Sequence, residues 1–547
     1  MTTQILCTQI QRPSGNYQPG KWGLEFLETL KNQYKDDSYS TRATALQENV
    51  RNELNSVYED KGVSSSLGLI EDIQRLGLGY LFEKDIRRIL GLLAQNNISH
   101  EGSLYETALS FRLFRHHGHE ISRDVFKRFM SPQGSFNEHV NQDIKGTWSL
   151  YEASYQVREG EGILDEARVH ARNLLADVKE GIEQTIFHQV TRALQLPLHY
   201  SATRLEARWY IDAYSKRTDV NSTLLELAKL DYNMLQGTYQ EELAILSTWW
   251  KNLGLIENFP FARESLVQAY TWTIGVTDIP HHKYCRHWFT KIVMLVTLVD
   301  DAYDNYATLD EAQLLTDAVE RWDVNLVQGL PDYMKLLFFA WYNTTNEIAY
   351  NALKEQGVNV LPYLRKKCAG QFKSYMIELT WFKTGYKPSL KEYMENGAVS
   401  GLGPMLQMFI YVLTCPKISA ETLEYIDNFP DLIRLSSIMY RLEDDLGTTK
   451  EEMERGDVPK AIQCYMNDAG VTEEEARTYI RNLIEETWKK FNTEMWRDSS
   501  LPQGFVKIIL DSNRMVHVFY LNGDGYGHPG CEMKDRISSM IFESVPM

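Results

Sequence analysis

Apolar residues recur three and four positions apart along most of this chain, with charged residues between them. That period belongs to helices packed by one face. The run from Leu67 to Leu93, LGLIEDIQRLGLGYLFEKDIRRILGLL, shows it over 27 residues. It returns in SLYETALSFRLF, ILDEARVHARNLLADV, LLELAKLDYNML and ARTYIRNLIEETWKKF. Thr308 with Glu311, and Thr472 with Glu475, have the spacing of capping boxes and predict helix starts. Turn signals fall at 131–134 (SPQG) and 252–254 (NLG). Alternating strand-like runs are missing from the sequence. The pattern therefore predicts an all-α protein, and the absence of a fixed-period repeat speaks against a regular solenoid. With 547 residues the chain is long enough for two large cores. The stretch 216–222, KRTDVNS, is the best boundary, which gives an N-terminal helical domain over 1–220 and a second domain over 221–547.

Composition narrows the function classes. A net charge of −17 argues against a nucleic-acid partner. The apolar run 292–299 is too short to span a bilayer, so no membrane span is expected. The six cysteines (Cys7, Cys285, Cys368, Cys415, Cys464, Cys531) form no CxxC pair, which fits reduced thiols better than a disulfide frame or a zinc site. The opening MTTQILCTQIQ lacks a secretory apolar region and is short and poor in Arg and Ser for a plastid leader. A monomer in the cytoplasm is the expectation, or in the plastid if a leader precedes the chain.

The chemistry concentrates after residue 221. In CRHWFTKIVMLVTLVDDAYDNYA an apolar helix ends in acid. Asp300 and Asp304 are four apart and share a face, while Asp301 points to the flank. Close like charges repel, and a divalent cation relieves the conflict; carboxylate oxygens suit a hard ion such as Mg²⁺. Read alone, the string is also what a solvated acidic helix end looks like. A second face strengthens the metal reading. In RLEDDLGTTKEEMERGD, Asp444, Thr448 and Glu452 fall at i, i+4 and i+8 and supply two carboxylates and a hydroxyl. Mg²⁺ commonly keeps waters and is shared between a few carboxylates and a substrate phosphate. Two acidic faces around a diphosphate satisfy that rule and would assist its departure.

These residues resemble the paired DDxxD and (N,D)DxxSxxxE motifs of plant class I terpene synthases. The resemblance runs nearly end to end: RPSGNYQPGKW (12–22), LYEASY, EARWYIDAY and LLELAKLDYN in the first domain, then FARESLV, YTWTIGV, AVERWD, ERGDVPKAIQCYM and NGDGYG. It implies a C-terminal catalytic α-bundle with an N-terminal α-barrel-like domain. Asp300 and Asp304, with Asp444, Thr448 and Glu452, would be the ligands of three Mg²⁺ ions, with Mn²⁺ as a substitute, and Asp301 would support them. Arg263, Arg441 and Lys460 match positions that hold the diphosphate. Trp272 matches a pocket tryptophan; Phe519, Tyr520, Asp524 and Tyr526 lie in the C-terminal block expected to border the pocket, where aromatic faces can stabilise a carbocation. Ser400 and Gly401, in GAVSGLGP, match a helix break whose freed carbonyls can face a cation.

The sequence departs from the family pattern in four places. The usual RxR is Arg263-Glu264-Ser265, the N-terminal Arg-Arg is Arg12-Pro13, Phe519 replaces a frequent tyrosine, and no DxDD acid motif exists. Ionisation rather than protonation should start the reaction. The absence of a leader favours farnesyl diphosphate and a sesquiterpene product; blocks such as RPSGNY favour the alternative, geranyl diphosphate and a monoterpene. A chain-elongating prenyltransferase would carry a second DDxxD where Thr448 and Glu452 stand. A di-iron bundle would need Glu-x-x-His, and none of the thirteen histidines has a glutamate three residues before it. A helical scaffold leaves the two acidic faces unexplained.

Overall fold

The computed structural model describes residues 17, 20–60, 62–95, 102–137, 140, 142–178, 183–455, 458–498 and 500–547. Arg12, Pro13 and Cys7 lie outside these residues. Among the described residues every regular element is a helix, apart from one isolated bridge between Met130 and Phe136. Both predicted capping boxes form, at Thr308–Glu311 and Thr472–Glu475, and a third forms at Ser103–Glu106.

The periodic run 67–93 is not one helix. The helix Gly62–Arg75 stops, and a second begins at Glu83. Gly77 makes the turn between them at φ +78°, a conformation costly for residues with a Cβ. A Cβ there would also stand 2.8 Å from that of Ala207. The apolar period survives the break because both helices pack on the same core.

Two cores organise the chain. One gathers Leu67, Ile70, Phe82, Phe111 and Leu150 from the N-terminal region. The other gathers Phe289, Ile292, Leu295, Phe409 and Phe519 from the C-terminal region, together with Tyr151 and Tyr200. Each fully buried Ile or Leu contributes about 1.5–3 kcal/mol of transfer free energy. The long helix α1, Ser222–Asn252, belongs to both cores: Leu224, Leu227 and Leu230 pack in the first, Leu243, Leu246 and Trp250 in the second. The turn before it is pinned, because the Arg217 guanidinium pairs with Asp219 and with Asp72 of the first core, both within 2.8 Å. The C-terminus returns to α1, where the Asn233 side chain bonds both backbone groups of Val545.

Eight further helices frame the site: α2 Leu266–Val276, α3 Lys283–Asn305, α4 Leu361–Thr384, α5 Leu390–Ser400, α6 Gly403–Thr414, α7 Asp431–Arg455, α8 Ala461–Ala469 and α9 Gln503–Tyr520. The stretch 390–414 is apolar enough and long enough to cross a membrane by composition, but 78% of its most apolar window is buried in the protein. Its apolarity is that of a core segment. It is also broken: Leu402 takes φ +74° and Pro404 opens α6. Gly403 lies so close to α7 that a Cβ would meet Ser437.

Candidate active site

The first acidic wall is the last turn of α3. Its preceding four turns are buried, including Ile292, Leu295, Val296 and Val299. Asp300 remains 31% exposed, whereas Asp301 is fully buried. Arg263 accounts for the difference. Its backbone N–H and Nε donate to Asp301 at 3.0 and 2.9 Å, and its Nη2 donates to Asp300 at 2.7 Å. Burial pushes the Asp301 carboxyl up, and the guanidinium holds it down. Arg263 in turn lies 5.2 Å from the Tyr17 ring centre, and Tyr17 packs on His528. The place of the second arginine of the usual RxR is Ser265, which is buried beside Met294. Between them, Glu264 accepts the Gly20 N–H at 3.0 Å.

The second wall is the C-terminal half of α7. Asp444 is 27% exposed and Glu452 is half-buried on the same helix face. Thr448 donates its hydroxyl back to the Asp444 carbonyl at 3.0 Å, which leaves its oxygen lone pairs outward. Arg441 reaches Asp444 at 3.3 Å, Asp445 at 3.2 Å and the Ser400 hydroxyl at 3.0 Å. The Lys460 ammonium stands 3.6 Å from Glu452. Burial, reinforced by Asp445 and opposed by Arg441, pushes the Asp444 carboxyl up to about 6. A carboxylate so placed gains from a hard cation beside it.

Two phenols lie within electrostatic reach of both walls. Burial and then Asp300 and Asp304 push Tyr375 well above its ordinary value, and Arg441 of the opposite wall pulls it back. Burial and then Asp444 and Asp524 do the same to Tyr520, with Arg263 of the first wall opposing. Each phenol therefore feels both walls. Gly447 allows this closeness: a Cβ there would stand 3.0 Å from the Tyr520 ring. Among the described residues no three acidic, histidine or cysteine side chains converge as a self-sufficient metal cage. The donor set is split between two walls and made only of hard oxygens. It fits ions shared with a phosphorylated ligand, not a protein-enclosed site.

The aromatic cluster lies on α2, α7, α9 and the turn after α9. The Trp272 ring stands 5.2 Å from Phe519, 6.2 Å from Tyr526 and 6.4 Å from Tyr440. Its buried indole N–H has no hydrogen-bond partner among the described residues. The Tyr526 hydroxyl bonds Thr297 at 3.0 Å. Asp524 is used differently: its carboxylate accepts the backbone N–H of Tyr526 and Gly527 at 3.0 and 2.7 Å and faces His528, so it builds the turn that carries Tyr526. At the α5–α6 break, the Ser400 carbonyl accepts the Gln371 amide at 2.9 Å, while its hydroxyl donates to Glu378. That freed carbonyl is thus taken up by a side chain. A Cβ on Gly401 would stand 2.9 Å from the Gly397 carbonyl and 3.3 Å from the Arg441 Cβ, so a glycine lets the break lie flat on α7.

Sequence reasoning missed Tyr375, Glu378, Tyr393, Tyr440 and Asp445. One signal was available: Gln371, Tyr375 and Glu378 share a face of α4, and buried polar residues at helical spacing ask for partners. Tyr440 carries no such signal, since it reads as one more core aromatic.

Two family models match the chain: the terpene synthase N-terminal domain over residues 21–194 and the terpene synthase metal binding domain over 251–490. A chloroplastic myrcene synthase from Quercus ilex is 44% identical over 545 residues, covering 98% of this chain and 90% of its own. Among solved structures, a limonene synthase with 2-fluorolinalyl diphosphate superposes with a TM-score of 0.94 at 38% identity, covering 98% of this chain and 100% of that one. An isoprene synthase from grey poplar leaves, in complex with three Mg²⁺ ions and dimethylallyl-S-thiolodiphosphate, gives 0.89 at 42% identity, covering 96% and 99%. With both domain models matched in order and relatives alike over nearly their whole length, the chain belongs to the plant class I terpene synthases, lyases that act on prenyl diphosphates.

Proposed function

We propose that the protein is a monoterpene synthase that ionises geranyl diphosphate with Mg²⁺ and releases diphosphate. The likeness to a myrcene synthase and to a limonene synthase bound to a linalyl diphosphate analogue supports the ten-carbon substrate. This replaces the expectation of farnesyl diphosphate and a cytoplasmic enzyme. That expectation leaned on the first residues of the chain, which say nothing about pocket size. The chloroplastic relative favours the plastid as the place of action.

The observation that carries the mechanism is the pair of acidic walls on α3 and α7, each bonded to an arginine, with the Trp272 cluster tied to α3 through the Tyr526–Thr297 bond. Asp300 and Asp304 on one wall, and Asp444, Thr448 and Glu452 on the other, would hold the three Mg²⁺ ions, with Mn²⁺ able to substitute. When bound, the ions neutralise the leaving diphosphate. Arg263, Arg441 and Lys460 grip its oxygens, which keeps the departing anion from escaping or being recaptured early. For Arg263 this means loosening its bond to Asp300 while Asp301 retains it. Trp272, Tyr440, Phe519 and Tyr526 present ring faces and edges to the allylic cation and exclude water from it.

The test is gas chromatography of products after incubation with Mg²⁺ and the C10, C15 or C20 diphosphate. The C10 substrate should be turned over with a kcat/KM at least ~10-fold above the C15 one, as expected of a pocket shaped to chain length. Preference for the C15 substrate overturns the monoterpene assignment, and no product from any of the three overturns the synthase reading.

A further inference from the structure

Asp444 and Asp445 are neighbours on α7, about 100° apart around the helix, and they differ in burial: the Asp444 side chain is 27% exposed. Asp445 is fully buried. A buried carboxylate costs several kcal/mol in lost hydration unless donors replace the water. Asp445 has donors from three elements. The Tyr393 hydroxyl of α5 donates to Oδ1 at 2.9 Å, the Arg441 guanidinium one turn earlier on α7 donates to Oδ1 at 3.2 Å, and the backbone N–H of Ala461 donates to Oδ2 at 2.9 Å.

The third donor is the telling one. Ala461 opens α8, where the first N–H groups have no partner within the helix. A carboxylate is a strong acceptor at that position. Lys460, the residue just before, has a side chain only 4% exposed, and its ammonium is aimed back at Glu452. One buried acid therefore ties down both cations of the second wall: Arg441 directly and Lys460 through the next peptide.

We propose that Asp445 is a positioning residue that fixes Arg441 and Lys460 over the metal-facing side of α7, so that the wall meets a diphosphate with its cations already in place. This rests on the reading that these two cations grip diphosphate. Asp445 itself touches no reacting atom. Its contribution is preorganisation, which spares the ordering of two long side chains on binding.

The probe is inorganic diphosphate with Mg²⁺, measured by calorimetry, beside steady-state kinetics on geranyl diphosphate. Asp445→Asn keeps the volume but turns an N–H toward one of the donors, Ala461 or Arg441. Its diphosphate affinity should fall roughly tenfold or more, as for a lost bond to a charged group. KM should rise more than kcat falls. Lys460→Ala should fall similarly. The double variant should be no weaker than the worse single one, because coupled sites are not additive. Unchanged diphosphate affinity in Asp445→Asn, or losses that add in full, overturns the proposal. Should Asp445→Asn fail to fold, Tyr393→Phe removes one neutral donor and should weaken diphosphate about threefold; no change there overturns it equally. The two readings separate cleanly. Asp445-dependent diphosphate binding without turnover of any prenyl diphosphate sinks the synthase reading and leaves this one standing. Turnover with Asp445-independent diphosphate binding does the reverse.

Discussion

Both halves of the molecule bury charge, but they dispose of it in opposite ways. In the N-terminal core acids meet arginines of the same core: Arg75 with Glu206, Arg112 with Glu71 and Arg115 with Glu161, each at 2.6 Å. Arg75 is further held 4.1 Å from the Tyr210 ring centre. In the C-terminal half one arginine serves two neighbouring acids: Arg441 reaches both Asp444 and Asp445. Asp300 and Asp444 stay partly open, and Arg263 is shared between two aspartates of one wall. The same ingredients give a closed structural network in one place and two partly open acidic faces in the other. What separates them is exposure: the Glu206, Glu71 and Glu161 side chains are at most 11% exposed, against 31% for Asp300 and 27% for Asp444. A sealed pair resists change, whereas a partly open carboxylate can still meet a cation.

The sharpest way to break this contrast is to remove one acid from each side. Asp300→Ala should lower kcat/KM on geranyl diphosphate about 10³-fold, since it takes a ligand from the charge-neutralising cluster. Its unfolding midpoint should hardly move. Near-normal turnover would remove Asp300 from the metal face. Glu206→Ala should do the opposite. It strands Arg75 and Arg192 in the core and should cost about 4 kcal/mol of stability in denaturant unfolding, with kcat of the folded fraction unchanged. A large loss of kcat there would mean that the first core takes part in the chemistry.

Glu152 tests the exception in the N-terminal core. Burial pushes its carboxyl up from 4.5 to about 7, with Arg112 opposing. Between those values the folded protein holds a proton that the unfolded chain releases. Stability on this account is full below pH 4.5 and lost as pH rises through 7. Glu152→Gln stays neutral throughout, so it should flatten that fall and be more stable than the parent at pH 8 by up to about 3 kcal/mol. Parallel stability–pH curves would rule this out. The smallest effect belongs to the second wall: Glu452→Gln should raise the Mg²⁺ concentration for half-maximal activity about tenfold, within the range seen when metal sites lose a supporting carboxylate. An unchanged Mg²⁺ titration would exclude Glu452 as a ligand.

Much of this was open to a reader of the chain alone, because helices write their faces into local spacing. The i, i+4 pairing of Asp300 and Asp304, the i, i+4, i+8 row on α7 and both capping boxes need only the helical period. The break at Gly77 was also written locally, in Gly-Leu-Gly, but the apolar period runs straight through it and hides it.

The amino-acid order by itself determined the all-helical class, the two acidic helix faces and the family blocks, since each depends on residues within a few turns of one another. The tertiary structure decided the pairing. It took Arg263 across 38 residues to Asp301, Tyr393 across 52 to Asp445 and Phe519 across 247 to Trp272. No local period encodes such contacts, because they arise only when helices pack and burial forces each carboxylate to find a donor or keep its charge in reserve.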